Sequence, residues 1–328
     1  GDNGLPGRPV GFPGRFGRAA GTDDPMRPTV DKTAGRDYTR DRDYGLYGEG
    51  IMMRKCVLAF LMACVLGAGS GLLAQLTEAD QAEYEKWEEF LKTAEVIGQE
   101  QLTGALAVTN PWVLTLEKDG VQRKALWKDV LGDRIKGFKE TWKGEIAAYR
   151  LSRALGVHMV PATVERRYQG ARGSCQLWFD AWNNMEAIIK KDLRPPGIKA
   201  LYNARNLCLQ RAFDNLIYNV DRHQRNYLIM EDWRMILIDH SRSFSATKRA
   251  RTDLIYDEKN RESSKFIMET LPRAFVDALR ALTAESIREI VGEYLDDDEI
   301  AATLSRRDAI IAWLDKRIAE LGEAKVLY

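Results

Sequence analysis

Residues 219–229 read Asn-Val-Asp-Arg-His-Gln-Arg-Asn-Tyr-Leu-Ile, and residues 235–244 read Met-Ile-Leu-Ile-Asp-His-Ser-Arg-Ser-Phe, with a short polar turn between the two runs. Apolar stretches on either side of such a turn predict a hairpin. Asp221 precedes it, Asn226 opens its first strand and Asp239 closes its second. Two carboxylates and an amide at this spacing are the groups that phosphoryl transfer uses. One carboxylate receives or orients the attacking hydroxyl, and the other oxygens suit a hard divalent cation.

Working outward, a long apolar-periodic helix over residues 201–220 leads into Asp221, which gives that carboxylate a rigid mount. Asp221 is the candidate base, with Arg222 and His223 in the catalytic set: His223, like His240, as a loop-orienting or phosphate-contacting group, and Arg222 as a cationic donor that could meet phosphate. Arg225 and Arg242 add cationic donors to the same region. Asn226 and Asp239 are the candidate Mg²⁺ ligands. Each residue alone has a plainer reading: a turn-capping Asp, a hydrogen-bonded strand end, a solvated arginine. Zinc is poorly supported, because the chain has three histidines and no Cys at ligand spacing from them.

Upstream, Lys128 ends the strand Ala125-Leu126-Trp127, and Glu145 sits in the first turn of a helix over residues 144–155. A strand lysine held by a helix glutamate would clamp nucleotide phosphates. Strand alternation puts Lys124 and Lys128 on one face, so spacing does not choose between them. Residues 98–111 form the expected first hairpin, with Gly104 and Thr109, and more weakly Thr103, as candidate phosphate contacts. They make neither a G-x-G-x-x-G nor a Walker-type loop.

The remaining pattern is a helix over residues 77–94, strands over 96–106, 112–117, 124–130, 159–164 and 175–179, and several helices after residue 271, with Leu282-Thr283-Ala284-Glu285 and Leu295-Asp296-Asp297-Asp298 as cap and turn sites. A strand-rich half followed by a mostly helical half predicts an α+β, two-lobed layout, with an N-lobe over residues 95–180 and a C-lobe over 181–328. At 328 residues and 45% hydrophobic content the chain can bury a large core. Its 49 Lys and Arg balance 48 Asp and Glu, which argues against nucleic acid as a partner.

Residues 1–51, rich in Gly, Arg, Asp and Pro, read as a disordered arm or as an upstream segment outside the true start. Residues 52–74 read as a targeting segment: Arg54 and Lys55, an uncharged run over 56–73, then small residues. A cleaved signal peptide is the favoured reading, with a membrane anchor or a lipidated Cys64 as alternatives. All three deliver the rest of the chain outside the cytoplasm, periplasmic, extracellular or anchored, with membrane contact only through that segment. Cys175 and Cys208 would then be able to form a disulfide.

Asp221-Arg222-His223-Gln224-Arg225-Asn226 with Ile238-Asp239 resembles the atypical kinases. These include phosphatidylinositol 3- and 4-kinases, the secretory-pathway protein and sugar kinases and, more distantly, the HipA-type kinases. Ser241-Arg242-Ser243-Phe244 is similar to the G-R-G-F tail of the secretory group, and residues 125–161 resemble its lysine strand, glutamate helix and following strand. The resemblance implies a bilobal protein-kinase-like fold using ATP and Mg²⁺. In it Asp221 is catalytic, Asn226 and Asp239 bind metal, and Lys128 binds ATP with Glu145 as its partner. It implies a hydroxyl acceptor on a protein, sugar or lipid head group. The chain departs from the pattern at His240 and Ser241, where related chains often carry Gly. A kinase-fold binding module without turnover, in the cell envelope, is the alternative.

Overall fold

The computed structural model describes residues 78–103, 109–135, 138–257 and 268–328. The targeting segment at 52–74, the arm before it and Gly104 lie outside the described residues. Among the described residues no helix is long and apolar enough to cross a membrane.

The strand-rich half is a five-stranded antiparallel sheet in the order β1-β2-β3-β7-β6. Its strands are β1 (Glu95–Gln101), β2 (Trp112–Lys118), β3 (Val121–Lys128), β6 (Thr163–Tyr168) and β7 (Ala171–Leu177). The turn between β2 and β3 is Asp119-Gly120, both at positive φ (52° and 75°), the backbone a tight hairpin requires. Pairing of Trp112 with Trp127 puts the β1–β2 connection, and Thr109 in it, at the same end of the sheet as Lys128.

Helix α1 (Glu78–Thr93) packs on this sheet as its periodicity predicts, burying Phe90 and Leu91. Arg166 from β6 fastens it, donating to the carbonyls of Leu91 and Ala94, each at 2.6 Å. Tyr149 adds a hydrogen bond to Glu88 at 2.8 Å.

A small hairpin, β4 (Leu131–Ile135) with β5 (Phe138–Thr141), intervenes before helix α2 (Trp142–Ala154). The sequence reading did not anticipate it, since residues 131–141 lack a two-residue alternation. The hydroxyl of Thr141 caps α2, accepting from the Lys143 amide at 3.2 Å. The strand expected over 159–164 falls instead at β6. Pro161 has no N–H for a ladder. The Met159 carbonyl, moreover, accepts from Leu237 N at 2.8 Å, tying this segment to the other half of the molecule.

In that other half a three-stranded sheet, β10-β9-β8, comprises β8 (Asn183–Asn184), β9 (Tyr227–Ile229) and β10 (Met235–Leu237). Strands β9 and β10 are the hairpin predicted from the opening motif. Helix α3 (Met185–Lys190) follows β8 and is capped by Asn184. Helix α4 (Lys199–Ile217) ends three residues earlier than its periodicity predicts. Tyr218 turns left-handed (φ 53°) and the Asn219 amide closes back on the Asp214 carbonyl at 3.0 Å.

The remaining helices are α5 (Lys248–Thr252), α6 (Arg273–Ala281), α7 (Ala284–Val291), α8 (Asp297–Leu321) and α9 (Glu323–Val326). Thr283 and Asp296 cap α7 and α8 through reciprocal capping boxes, at the two sites the sequence marked. The architecture is therefore α+β with a strand-rich N-terminal part and a mainly helical C-terminal part. Cys175 and Cys208 are both buried and are not bridged to each other, so the possible disulfide is not formed.

Candidate active site

Lys128, at the last position of β3, is only 8% exposed and donates to two carboxylates. Its Nζ lies 2.7 Å from Glu145 Oε1 and 2.8 Å from Asp239 Oδ1. Three segments far apart in sequence thus converge on one ammonium. Lys124, the competing lysine, is exposed. Burial alone would depress the Lys128 ammonium, but Asp239 and Glu145 outweigh it and hold it above the ordinary lysine range. Burial likewise works against ionised Glu145 and Asp239, and Lys128 outweighs it, so both carboxyls sit below the usual carboxylate range. All three groups are charged at neutral pH.

The second oxygen of Glu145 accepts from the His240 backbone amide at 2.9 Å, joining helix α2 to the loop after β10. That approach needs Gly144, because a Cβ there would meet the His240 carbonyl at 2.8 Å. Thr141 N donates to the Ser241 carbonyl at 2.9 Å in the same seam. Asp239 itself takes a left-handed backbone (φ 63°), which a non-glycine residue holds only when its surroundings fix it.

Asn226 meets this loop through its backbone, accepting from Ile238 N at 3.2 Å. Its Nδ2 donates to the Asp221 carbonyl at 3.2 Å, which leaves the amide oxygen as the group available to a cation. Asp221 is about one-third exposed, and its Oδ2 accepts from Arg242 Nη1 at 2.9 Å. The arginine and Ser241 connect the two carboxylates through Glu140. Arg242 Nε is 3.5 Å from Glu140 Oε1, and the Ser241 hydroxyl is 3.2 Å from both Glu140 Oε1 and Asp239 Oδ1.

Arg222 is placed differently from the sequence expectation. Its side chain is fully buried, paired with Asp214 at 2.9 and 3.1 Å. It also donates to the carbonyls of Asn226 (3.1 Å) and Ile238 (2.6 Å), and its Nη2 lies 2.8 Å from His240 Nε2. It braces the two functional loops against each other rather than facing the cleft. His223 is exposed and contributes its backbone to the turn, donating to Asp221 O at 2.8 Å. Thr109 sits in the β1–β2 connection, half-buried.

His240 explains the departure from glycine at that position. Its ring is buried in van der Waals and polar contact with Phe213 and Arg222, and burial together with the Arg222 charge lowers its pKa. Glu140, Asp214 and Ser241 are residues of this site that the sequence reading gave no role. Asp214 alone carried a signal, as an acidic residue on the apolar face Leu209-Phe213-Leu216-Ile217 of α4.

Among the described residues no group of three or more His, Cys, Asp and Glu forms a metal site on its own. A magnesium ion bound with nucleotide asks for less: one or two protein oxygens, the rest coming from phosphate and water. Asp239, with its side chain 36% exposed, and the Asn226 amide oxygen fit that donor set.

No protein-family model matches the chain, and no curated protein matches it in sequence. Its fold is similar to solved structures. One is the hydra Fam20 determined with sugar, at 15% identity and TM-score 0.54, covering 79% of this chain and 96% of that one. Another is the Golgi casein kinase, at 16% identity and TM-score 0.51, covering 76% and 78%. The likeness is one of fold, which the chain shares with these two structures.

Proposed function

We propose that the chain is an atypical kinase transferring the γ-phosphate of ATP to a hydroxyl. The single observation behind this reading is the convergence of Lys128, Glu145 and Asp239, with Asn226 bonded to the adjacent backbone. Lys128, held by Glu145, would take the nucleotide phosphates, with Thr109 and Gly104 as candidate contacts from the first hairpin. Asn226 and Asp239 would hold Mg²⁺, which when bound neutralises charge developing on the phosphates. Asp221 would orient the acceptor hydroxyl and take its proton, and Arg242 fixes the carboxylate for that task. Arg222 keeps the two loops in register.

One observation favours the second reading, a nucleotide-binding module without turnover: both functional carboxylates are held by cations, Asp239 by Lys128 and Asp221 by Arg242. Single-turnover assays of the full chain with Mg²⁺ and γ-labelled ATP separate the two. Transfer or hydrolysis that Asp239→Ala abolishes supports the kinase. Saturable ATP binding with no label released supports the module, and no nucleotide binding at all overturns both. The stretch at residues 52–74 supports export, which fractionation of cells expressing the full chain tests; protein found only in the cytosol overturns it.

A further inference from the structure

The turn at Tyr218 and Val220, Lys139 at β5 and the segment from Arg242 to Ile255 line a solvent-open cavity of about 440 Å³. Arg242 belongs both to this cavity and to the candidate active site, since its Nη1 reaches Asp221 at 2.9 Å. A molecule seated here is therefore one residue from the proposed base. Its lining carries three cations, Lys139, Arg242 and Arg249, against a single carboxylate, Asp253.

Those cations have partners within the protein. Lys139 meets Glu299 at 2.6 Å, Arg242 meets Asp221, and Arg249 lies 3.6 Å from Asp253. The surplus charge lies close by. Arg306 is 1% exposed, and neutral oxygens alone hold its guanidinium: the carbonyls of Leu216, Ser245 and Ala250, and the Thr303 hydroxyl. No carboxylate among the described residues pairs with it. Two of those carbonyls belong to the segment that walls the cavity, so the charge acts from behind the lining.

Ser243 supplies a second, independent sign. It is 5% exposed, lines the cavity, and its hydroxyl has no hydrogen-bond partner. An unpaired hydroxyl at such burial costs stability unless something bonds to it. Ser245 and Thr247 add further hydroxyls, and Tyr218 an aromatic wall.

We propose that this cavity is the acceptor subsite, and that it takes a small polyhydroxyl compound carrying its own anionic group, a phosphate or a carboxylate. The proposal rests on the kinase reading of Asp221. The anion meets the arginine and lysine donors, which suit planar or tetrahedral oxyanions. The polyhydroxyl body lies against Tyr218 and the serine hydroxyls, and one hydroxyl reaches Asp221. In the transfer, the acceptor oxygen bonds to the γ-phosphorus while the bond to the β,γ-bridging oxygen breaks. ADP keeps that electron pair, and the hydroxyl proton passes to Asp221.

The test uses the full chain and four probes, glucose, glucose 6-phosphate, galactose and galacturonate, titrated by calorimetry with and without a non-hydrolysable ATP analogue and Mg²⁺. The expected result is binding of at least one charged sugar ten-fold or more tighter than its neutral counterpart. The phosphate and carboxylate arms identify which anion is taken. Arg249→Glu, at a side chain 78% exposed, should erase that preference with an unchanged melting temperature, and Lys139→Gln should erase it with some loss of stability, because it strips the buried Glu299 of its cation. Equal affinity for charged and neutral sugars, binding of none, or a preference that survives in both variants overturns the proposal. Nucleotide binding without sugar discrimination sinks the acceptor subsite alone, whereas charged-sugar binding without nucleotide binding sinks the kinase reading instead.

Discussion

Two buried charge clusters lie on either side of the loop after β10, built from the same kinds of side chain and put to opposite uses. Lys128 with Glu145 and Asp239 is open on one side, Asp239 being 36% exposed. Arg222 with Asp214 and His240 is sealed, all three side chains at 0%. The open cluster joins groups that can exchange one partner for a ligand. The sealed one has no partner to give up, and its arginine spends its remaining donors on the backbone carbonyls of Asn226 and Ile238. Exposure of a single carboxylate, rather than the inventory of charges, separates a cluster that a ligand can reach from a brace.

The largest effect should come from the open cluster. Asp239→Ala is expected to lower Mg²⁺-dependent turnover by about 10²–10³-fold or more, with folding retained in circular dichroism. Activity within a few-fold of the parent would place the site elsewhere. Next, Asp214→Ala strands Arg222 as an unpaired buried charge, and breaking such a pair costs about 3–5 kcal/mol. Denaturant titration reads that loss; a variant as stable as the parent would show that the sealed cluster is not a brace.

Gly144→Ala probes the seam between the clusters. Its Cβ meets the His240 carbonyl at 2.8 Å, and overpacking of that kind costs about 1–3 kcal/mol. Activity should fall by more than the modest drop in melting temperature explains, because the contact displaced is the one that sets Glu145 against the loop. Intact turnover with lowered stability would make Gly144 a packing residue only.

The smallest effect expected is in the pH dependence of stability of the metal-free protein. The folded pKa of His240 is lowered from an ordinary value of 6.5, so the unfolded chain protonates first, and stability falls as pH drops below that value. Glu145 is lowered from 4.5, so its contribution is full above 4.5 and is lost only at more acidic pH. Melting temperatures should therefore decline in two stages on acidification, the first diminished in His240→Asn to the part that His158, whose pKa burial also lowers, still contributes. A single stage below pH 4.5 in the parent would break the distinction between the two clusters.

What could be read from residue order follows from range of interaction. The hairpin carrying Asn226 and Asp239 was legible because alternation and a polar turn are local, and the caps at Thr283 and Asp296 for the same reason. The choice of Lys128 over Lys124 was not, since both share a strand face and only packing buries one of them. Arg222 was read with its loop neighbours as a donor to phosphate; its partner Asp214 lies eight residues earlier, in the last turn of α4, invisible to a motif confined to the loop. Arg306 lay beyond reach for another reason: an arginine in an amphipathic helix looks solvated until the carbonyls that bind it, 56 to 90 residues away, are brought near.

The contact between Gly144 and the His240 carbonyl also limits how this protein can be controlled. With the glutamate helix seated backbone to backbone on the loop after β10, and Thr141 and Glu145 bonded to the same stretch, neither can swing aside without dragging the other. Switching off by rotating that helix outward is closed to such a design. Any regulator would have to work by occupancy, at the proposed nucleotide or acceptor site, rather than by moving the scaffold.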